Sequence, residues 1–174
     1  MSDAIQVRTL HAISERDIQE LSDVLIDCVE GGASVSFMLP ITRPTAMAFW
    51  TGVAAGVERR ERILIAAENA DGQIVGSVQL IFAQAENQPH RADIAKMLVH
   101  RRARRHGVGA ALLAAAERAA LGAGKTLLVL DTASGDAERL YAKLGWRRCG
   151  VIPGYALLPN GGLCDTTFFY RSLR

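Results

Sequence analysis

Apolar positions along the chain switch between two periods, and the switches mark its elements. Ile5 to Leu10 alternates and predicts a short first strand. Ile18, Leu21, Val24, Leu25 and Cys28 then recur at helical spacing. Ser14 ahead of them, with Asp17 three positions on, reads as a capping box with a shortened acid, and Gly31-Gly32 ends the helix. Gly31 to Pro40 predicts a loop with several apolar residues. A second helix runs from Arg43 or Pro44 to Arg59, with Thr42 as N-cap and Pro44 in the first turn, where a missing N–H is tolerated.

The period then shortens. Ile63 to Glu68 and Ile74 to Phe82 predict two strands joined by a turn at Asn69 to Gly72. Asn87 to His90 is a polar turn, and Arg91 to His100 a further strand with apolar residues on alternate positions at its start. Val108 to Gly122, rich in alanine and leucine, is the strongest helix of the chain. Thr126 to Asp131 is a continuous apolar run, as expected of a strand buried on both faces. Asp136 to Leu144 predicts a helix stopped by Gly145. Trp146 to Val151 and Thr166 to Ser172 predict the last strands, separated by a loop holding Pro153, Gly154, Tyr155, Pro159, Asn160, Gly161 and Gly162. Two helices, a run of strands and then strand–helix alternation imply a mixed α/β fold with helices on both faces of one sheet.

Composition narrows the class. A length of 174 residues fits one domain spanning 1–174. A hydrophobic share of 49% with 22% charged residues suits a folded globular chain and not a disordered one. The net charge of +2 argues against a whole-surface nucleic-acid binder. Cys28, Cys149 and Cys164 form no CxxC pair and His11, His90 and His100 no metal-ligand spacing, so free thiols in a reducing cytoplasm and no metal are expected. No signal-peptide pattern opens the chain and no apolar run is long enough to span a membrane.

The chemistry concentrates at residues 99 to 110, VHRRARRHGVGA. A strand ends, a basic turn follows, and a helix begins at two spaced glycines. The first N–H groups of a helix lack internal acceptors and lie at the positive end of its dipole. Glycine lets an anion approach that backbone, and Arg101, Arg102, Arg104 and Arg105 add positive charge. The combination suits a pyrophosphate. Neither the dinucleotide fingerprint nor the Walker pattern is present. A basic loop with no ligand is the alternative. A nucleic-acid reading of the same arginines would call for interleaved aromatics, and there are none.

The run Arg104-Arg105-His106-Gly107-Val108-Gly109 resembles the [QR]xxGx[GA] signature of the GCN5-related N-acetyltransferase (GNAT) superfamily. A later block is similar too: Ser134, where that family has Asn, then Ala137, Leu140-Tyr141 and Gly145-Trp146. The resemblance covers about residues 74–151 and implies a GNAT-type acyl-CoA N-acyltransferase fold, its central mixed sheet splayed between the fourth and fifth strands. It implies acetyl-CoA as cofactor, with the pyrophosphate on the amides from Val108 to Leu112 (Gly109 and Ala110 among them) and the pantetheine arm along Met97, Leu98 and Val99. Ser134, Ala137 and Tyr141 complete the implied cofactor site, and Tyr141 is the implied general acid. The segments GGASVSFM, HRADIAKMLV, LLVLDTASG and PGYALLPNGGL also resemble the tabtoxin-resistance branch of the superfamily. That implies a small amine acceptor, amino-acid-like and similar to tabtoxinine-β-lactam.

Two carboxylates are candidates for the amine. Asp93 sits amid apolar neighbours on a strand, where an unpartnered carboxylate is uncommon; it either serves the acceptor or forms an ion pair with Arg91 or Lys96. Asp131 ends the fifth strand, where open α/β sheets place ligands, or else caps the next helix. If both face one cleft, each raises the other's pKa. By the same resemblance, the loop holding Gly32, Ala33, Ser34 and Phe37 covers the acceptor, or else is a packed linker; Tyr155, in the loop before the last strand, either closes the other side or is an ordinary exposed aromatic. The expected activity is direct acetyl transfer in a ternary complex, by a monomer or homodimer. The rivals are a module that binds acetyl-CoA without turnover and an acetyltransferase acting on a protein or peptide amine.

Overall fold

The computed structural model describes residues 5–173. In chain order the elements are β1 (Gln6–Thr9), α1 (Glu15–Glu30), α2 (Arg43–Glu58), β2 (Arg62–Glu68), β3 (Ile74–Phe82) and β4 (Arg91–Val99). A 3₁₀ turn at Arg101–Ala103 leads to α3 (Val108–Gly122), β5 (Leu127–Thr132), α4 (Gly135–Lys143), β6 (Arg147–Leu157) and β7 (Leu163–Ser172). Local capping explains where most helices begin. Asp17 donates its N–H to Ser14 Oγ (3.1 Å), and Asp17 Oδ2 accepts the Ser14 N–H (2.8 Å), which completes the capping box. Thr42 Oγ1 accepts from the Thr45 N–H at 3.3 Å and Ser134 Oγ from the Ala137 N–H at 3.4 Å.

The seven strands form one sheet in the order β1-β2-β3-β4-β5-β7-β6. Every neighbouring pair is antiparallel except β4 with β5. That parallel pair is short: Arg91, Ala92 and Asp93 lie opposite Leu127, Leu128 and Val129. Beyond Asp93 the two strands part, so the sheet is splayed where the sequence reading placed the opening.

Helices cover both faces. On one, α1 and α2 bury Leu21, Leu25 and Trp50 against Leu64, Ala66 and Leu98. On the other, α3 buries Leu112, Leu113 and Ala116 against Ile65, Val75 and Leu80, with Tyr141 of α4 in the same core. Strand β4 changes phase between these cores. Ala92 and Ile94 face α3, whereas Leu98 faces α1 and α2. The reversal comes from an irregularity opposite Ser77–Gln79, with Lys96 at a φ of 46°.

The structure corrects the end of the chain. The stretch read as a Gly/Pro-rich loop is mostly a long β6–β7 hairpin, reaching Leu157 on one strand and starting at Leu163 on the other. Pro153 is compatible with a strand here because β6 is the sheet edge, so no neighbour needs its missing N–H. A register shift between Ile152 and Ala156 absorbs the proline and Gly154, whose φ is 60°. Tyr155 is therefore a strand residue, its ring edge-on to Phe168 at 5.7 Å. No helix among the described residues is long and apolar enough to cross a membrane.

Candidate active site

The turn between β4 and α3 opens an uncapped helix end. Arg105 and Gly107 take left-handed backbones, with φ of 64° and 77°. Gly107 occupies the N-cap position of α3 with no side-chain hydrogen bond to the first turn. A Cβ built on Gly107 would meet nothing within 4 Å, so no protein side chain crowds the backbone at that point. Unpaired N–H groups at the positive end of a helix dipole, with no side chain in the way, form an anion site.

The four arginines do not act as one cloud. Arg101 is committed to α1: its N–H donates to Asp27 Oδ2 (2.8 Å) and its Nε to Asp27 Oδ1 (2.9 Å). Arg102 reaches Gln73 at 3.4 Å. Arg104 Nε donates to the Val99 carbonyl at 3.1 Å and fixes the turn on the strand end. Arg105 and His106 remain exposed beside Gly107.

Beside this turn β4 and β5 are no longer paired, which leaves the splay open. The His100 N–H donates to Val75 in β3 at 2.8 Å. Strand alternation therefore turns the N–H and C=O of Val99, and likewise of Met97, away from β3 toward the opening. The Val99 carbonyl is already engaged by Arg104 and by Cys28 Sγ (3.5 Å), which leaves its N–H for a ligand. The Leu98 side chain is core, and by the same alternation its main-chain groups face Ser77 of β3 and not the opening. Met97, Gly109 and Leu140 converge beside it: a Cβ on Gly109 would lie 3.1 Å from Leu140 and 3.4 Å from Met97. Ala110 lies in the first turn of α3. Ala137 packs at the edge of the α3-side core, and Ser134 is the N-cap of α4.

The candidate reactive groups, Asp93, Asp131 and Tyr141, flank the splay from its two faces. Leu128 and Leu130 of β5 point to the α3 side, so Asp131 points to the α1–α2 side. Asp93 alternates in the same way and shares that side. Asp93 is less enclosed than its apolar neighbours suggested: its side chain is 44% exposed and Arg91 Nη1 donates to it at 2.6 Å. Asp131 does not cap α4, since Ser134 does. Crowding by surrounding protein, and after it Asp93, push the Asp131 carboxyl above the usual carboxylate range, against the pull of Lys96 and a Thr166 hydrogen bond.

Tyr141 stands on the opposite face, 4% exposed, against Trp146 (5.9 Å) and Phe169 (5.7 Å). Burial first, and then the charge of Asp131, push its phenol up to about 12.

Lys96, absent from the residues that the sequence motifs single out for the site, stands beside Asp131 in the structure. Its ammonium donates to Ser36 Oγ at 2.9 Å and lies 5.8 Å from the Phe49 ring centre. Burial draws it below the ordinary lysine range, with Asp131 opposing. The sequence carried a signal: in RADIAKMLV the apolar alternation breaks at Lys96 and resumes out of phase, the mark of a bulge.

The α1–α2 loop bridges β4 to the edge hairpin. Besides the Ser36 contact, Ser34 Oγ donates to the Leu157 carbonyl at 3.0 Å and Leu39 donates its N–H to Pro159 at 2.8 Å. Phe37 packs edge-on to Phe49 at 5.3 Å, which ties the loop to α2. Gly32 and Ala33 lead from the end of α1 into this loop, with Gly32 at a φ of 90°.

Residues 59–148 match the acetyltransferase (GNAT) domain family. An N-acetyltransferase from Staphylococcus aureus Mu50 has a similar structure, with TM-score 0.80 and 18% identity, over 98% of this chain and 99% of that one. A proposed acetyltransferase from Salmonella typhimurium, solved with its cofactor acetyl-CoA, superposes with TM-score 0.78 and 18% identity over 99% and 95% of the two chains. A proposed phosphinothricin N-acetyltransferase gives 0.79 and 20% over 98% and 99%.

Proposed function

The chain belongs to the GNAT acetyltransferase family, and from that premise we propose that it transfers an acetyl group to the primary amine of a small molecule in the cytoplasm, as one domain over residues 1–174. The observation that carries the reading is the uncapped start of α3 at Gly107, set beside strands that separate after three paired residues. Family membership makes acetyl-CoA the donor. The residues present fit it: the first-turn amides of Val108, Gly109 and Ala110 for the diphosphate, the Ala111 N–H being already given to Gly107, with Arg105 beside them and the outward backbone of Met97 and Val99 for the pantetheine arm. Bound there, acetyl-CoA supplies the acetyl thioester.

The chain's own groups divide the remaining work. Asp131, and behind it Asp93, face the acceptor side and attract an ammonium; the raised pKa of Asp131 suits it to accept a proton. Tyr141 holds its proton at every physiological pH. A free thiol titrates near ~8.5, so a phenol at about 12 favours donating a hydrogen bond over releasing its proton. Orientation and preorganised amides supply most of the rate.

The bridged α1–α2 loop favours a small acceptor over a peptide, because Ser34, Ser36 and Leu39 fasten it across the cleft. The tabtoxin-like segments and the phosphinothricin N-acetyltransferase neighbour support an amino-acid-like toxin or antibiotic. The test is thiol release from acetyl-CoA across a panel of amino acids, β-lactam amines, aminoglycosides and polyamines. Release with at least one small amine is expected; coenzyme binding with none would make the chain a binding module.

A further inference from the structure

Of the four non-glycine residues with left-handed backbones among the described residues, two meet on the acceptor side of the splay: Ser36 (φ 78°) and Lys96 (φ 46°). That conformation is unfavourable for a residue with a side chain and persists where the surrounding fold imposes it, most often at binding sites. Here it brings the Lys96 ammonium to Ser36 Oγ at 2.9 Å, beside the Phe49 ring. No carboxylate among the described residues comes within 4.0 Å of that ammonium.

The other charges on this face show what is left to bind. Asp93 is taken up by Arg91, whose Nη1 donates to it at 2.6 Å. Asp131 has a hydrogen bond from Thr166 but no cation at ion-pair distance. Lys96 and Asp131 are near enough for each to shift the other's pKa, yet too far apart to pair. They stand as one uncommitted positive and one uncommitted negative group on the same side of the sheet. Hydrogen-bonding capacity is also left over at the positive end. An ammonium has three donors and Ser36 takes one; the Ser36 hydroxyl, which accepts from Lys96, keeps its own proton to give. A carboxylate placed there receives charge-assisted hydrogen bonds from both. It also offsets the burial that draws the Lys96 ammonium below the ordinary lysine range. A simple amine satisfies Asp131 alone, and a polyamine or aminoglycoside brings further positive charge against Lys96.

On the reading of this cleft as the acceptor site, we propose that Lys96 and Ser36 hold a free carboxylate of the acceptor while Asp131 receives its ammonium, so that the chain selects amino acids as zwitterions over amines that lack an acid group. The test is a thermodynamic cycle on the full chain with acetyl-CoA. Free amino acids are assayed by thiol release, each beside its methyl ester and its decarboxylated amine, in the wild type and in Lys96→Met. The wild type should favour the free acid, chiefly through KM. Lys96→Met should cut the acid-to-ester ratio of kcat/KM by roughly 10- to 100-fold, the range set by losing a hydrogen bond to a charged group. The weaker basicity of an ester amine is common to both proteins, and any effect of the substitution on Asp131 is common to both substrates, so both cancel in the cycle. Ser36→Ala keeps the lysine and should lower the ratio several-fold; it carries the test if Lys96→Met does not fold. A ratio that neither substitution changes, or release confined to amines without a carboxylate, overturns the proposal and leaves the acetyltransferase reading standing. Release with no amine of any kind brings down that reading and the proposal with it.

Discussion

Replacing Gly107 with alanine isolates the role of the α3 terminus. The substitution places a Cβ on a residue held at φ 77° and ψ 5°. That left-handed conformation costs an L side chain about 1 kcal/mol. No protein atom lies within 4 Å of the new methyl, so no clash adds to the cost. For a chain of this length, ~1 kcal/mol lowers Tm by roughly 2–4 °C. Gly124 supplies the control: at the other end of the same helix it has φ 73° and equally open surroundings. Gly124→Ala should cost the same stability for the same reason. The two variants part in coenzyme binding. The methyl at residue 107 stands where an anion approaches the amides, and a hydrogen bond to a charged group is worth about 1.5–3 kcal/mol. Gly107→Ala should therefore weaken coenzyme A binding by roughly 10- to 100-fold in calorimetry, with Gly124→Ala unchanged. Equal affinities in the two variants, at equal loss of Tm, would refute the assignment of the diphosphate to this helix end.

Three further outcomes are expected. Tyr141→Phe should lower kcat by about 10²-fold or more with little change in coenzyme A affinity; an unchanged kcat removes the phenol from the reaction. Lys96→Met takes away the cation that pulls the Asp131 pKa down, so burial and Asp93 act unopposed by it. If Asp131 is the base, the acid limb of kcat/KM is expected above the ordinary carboxylate range in the wild type and at higher pH still in the variant, and a limb that stays or falls contradicts the coupling. Ser14→Ala removes half of the α1 capping box and should cost about 1 kcal/mol, read as a lower Tm. Burial alone would raise the Asp17 pKa, but hydrogen bonds from Ser14 and Arg8 hold it lowered. Its stabilisation is therefore complete above the usual carboxylate pKa and lost as pH falls through the folded value; a wild-type Tm difference from Ser14→Ala that persists undiminished at low pH would contradict this.

How much could be read without coordinates depends on how far each interaction reaches along the chain. The α1 capping box, the start of α2 at Thr42 and the glycine turn before α3 close their hydrogen bonds within a few residues, so residue type and spacing are enough to reveal them. The extent of β6 and β7 is a different matter. Pro153 and Gly154 punctuate any local reading as loop, and only a position at the sheet edge makes a strand of them.

The candidate site shows the same division more sharply. Gly107 and the arginines announced an anion site through the backbone and charge of one turn, yet the folded chain alone reassigns Arg101 to Asp27 and Arg104 to Val99. Asp93, Lys96 and Asp131 meet on one face because parallel pairing sets Asp93 opposite Val129 and a bulge turns the lysine into the cleft. Tyr141, on the other face, still has its pKa raised in part by the charge of Asp131. Short-range hydrogen bonding and periodicity are written into neighbouring residues; the field among side chains far apart in sequence exists only once strand register has brought them together.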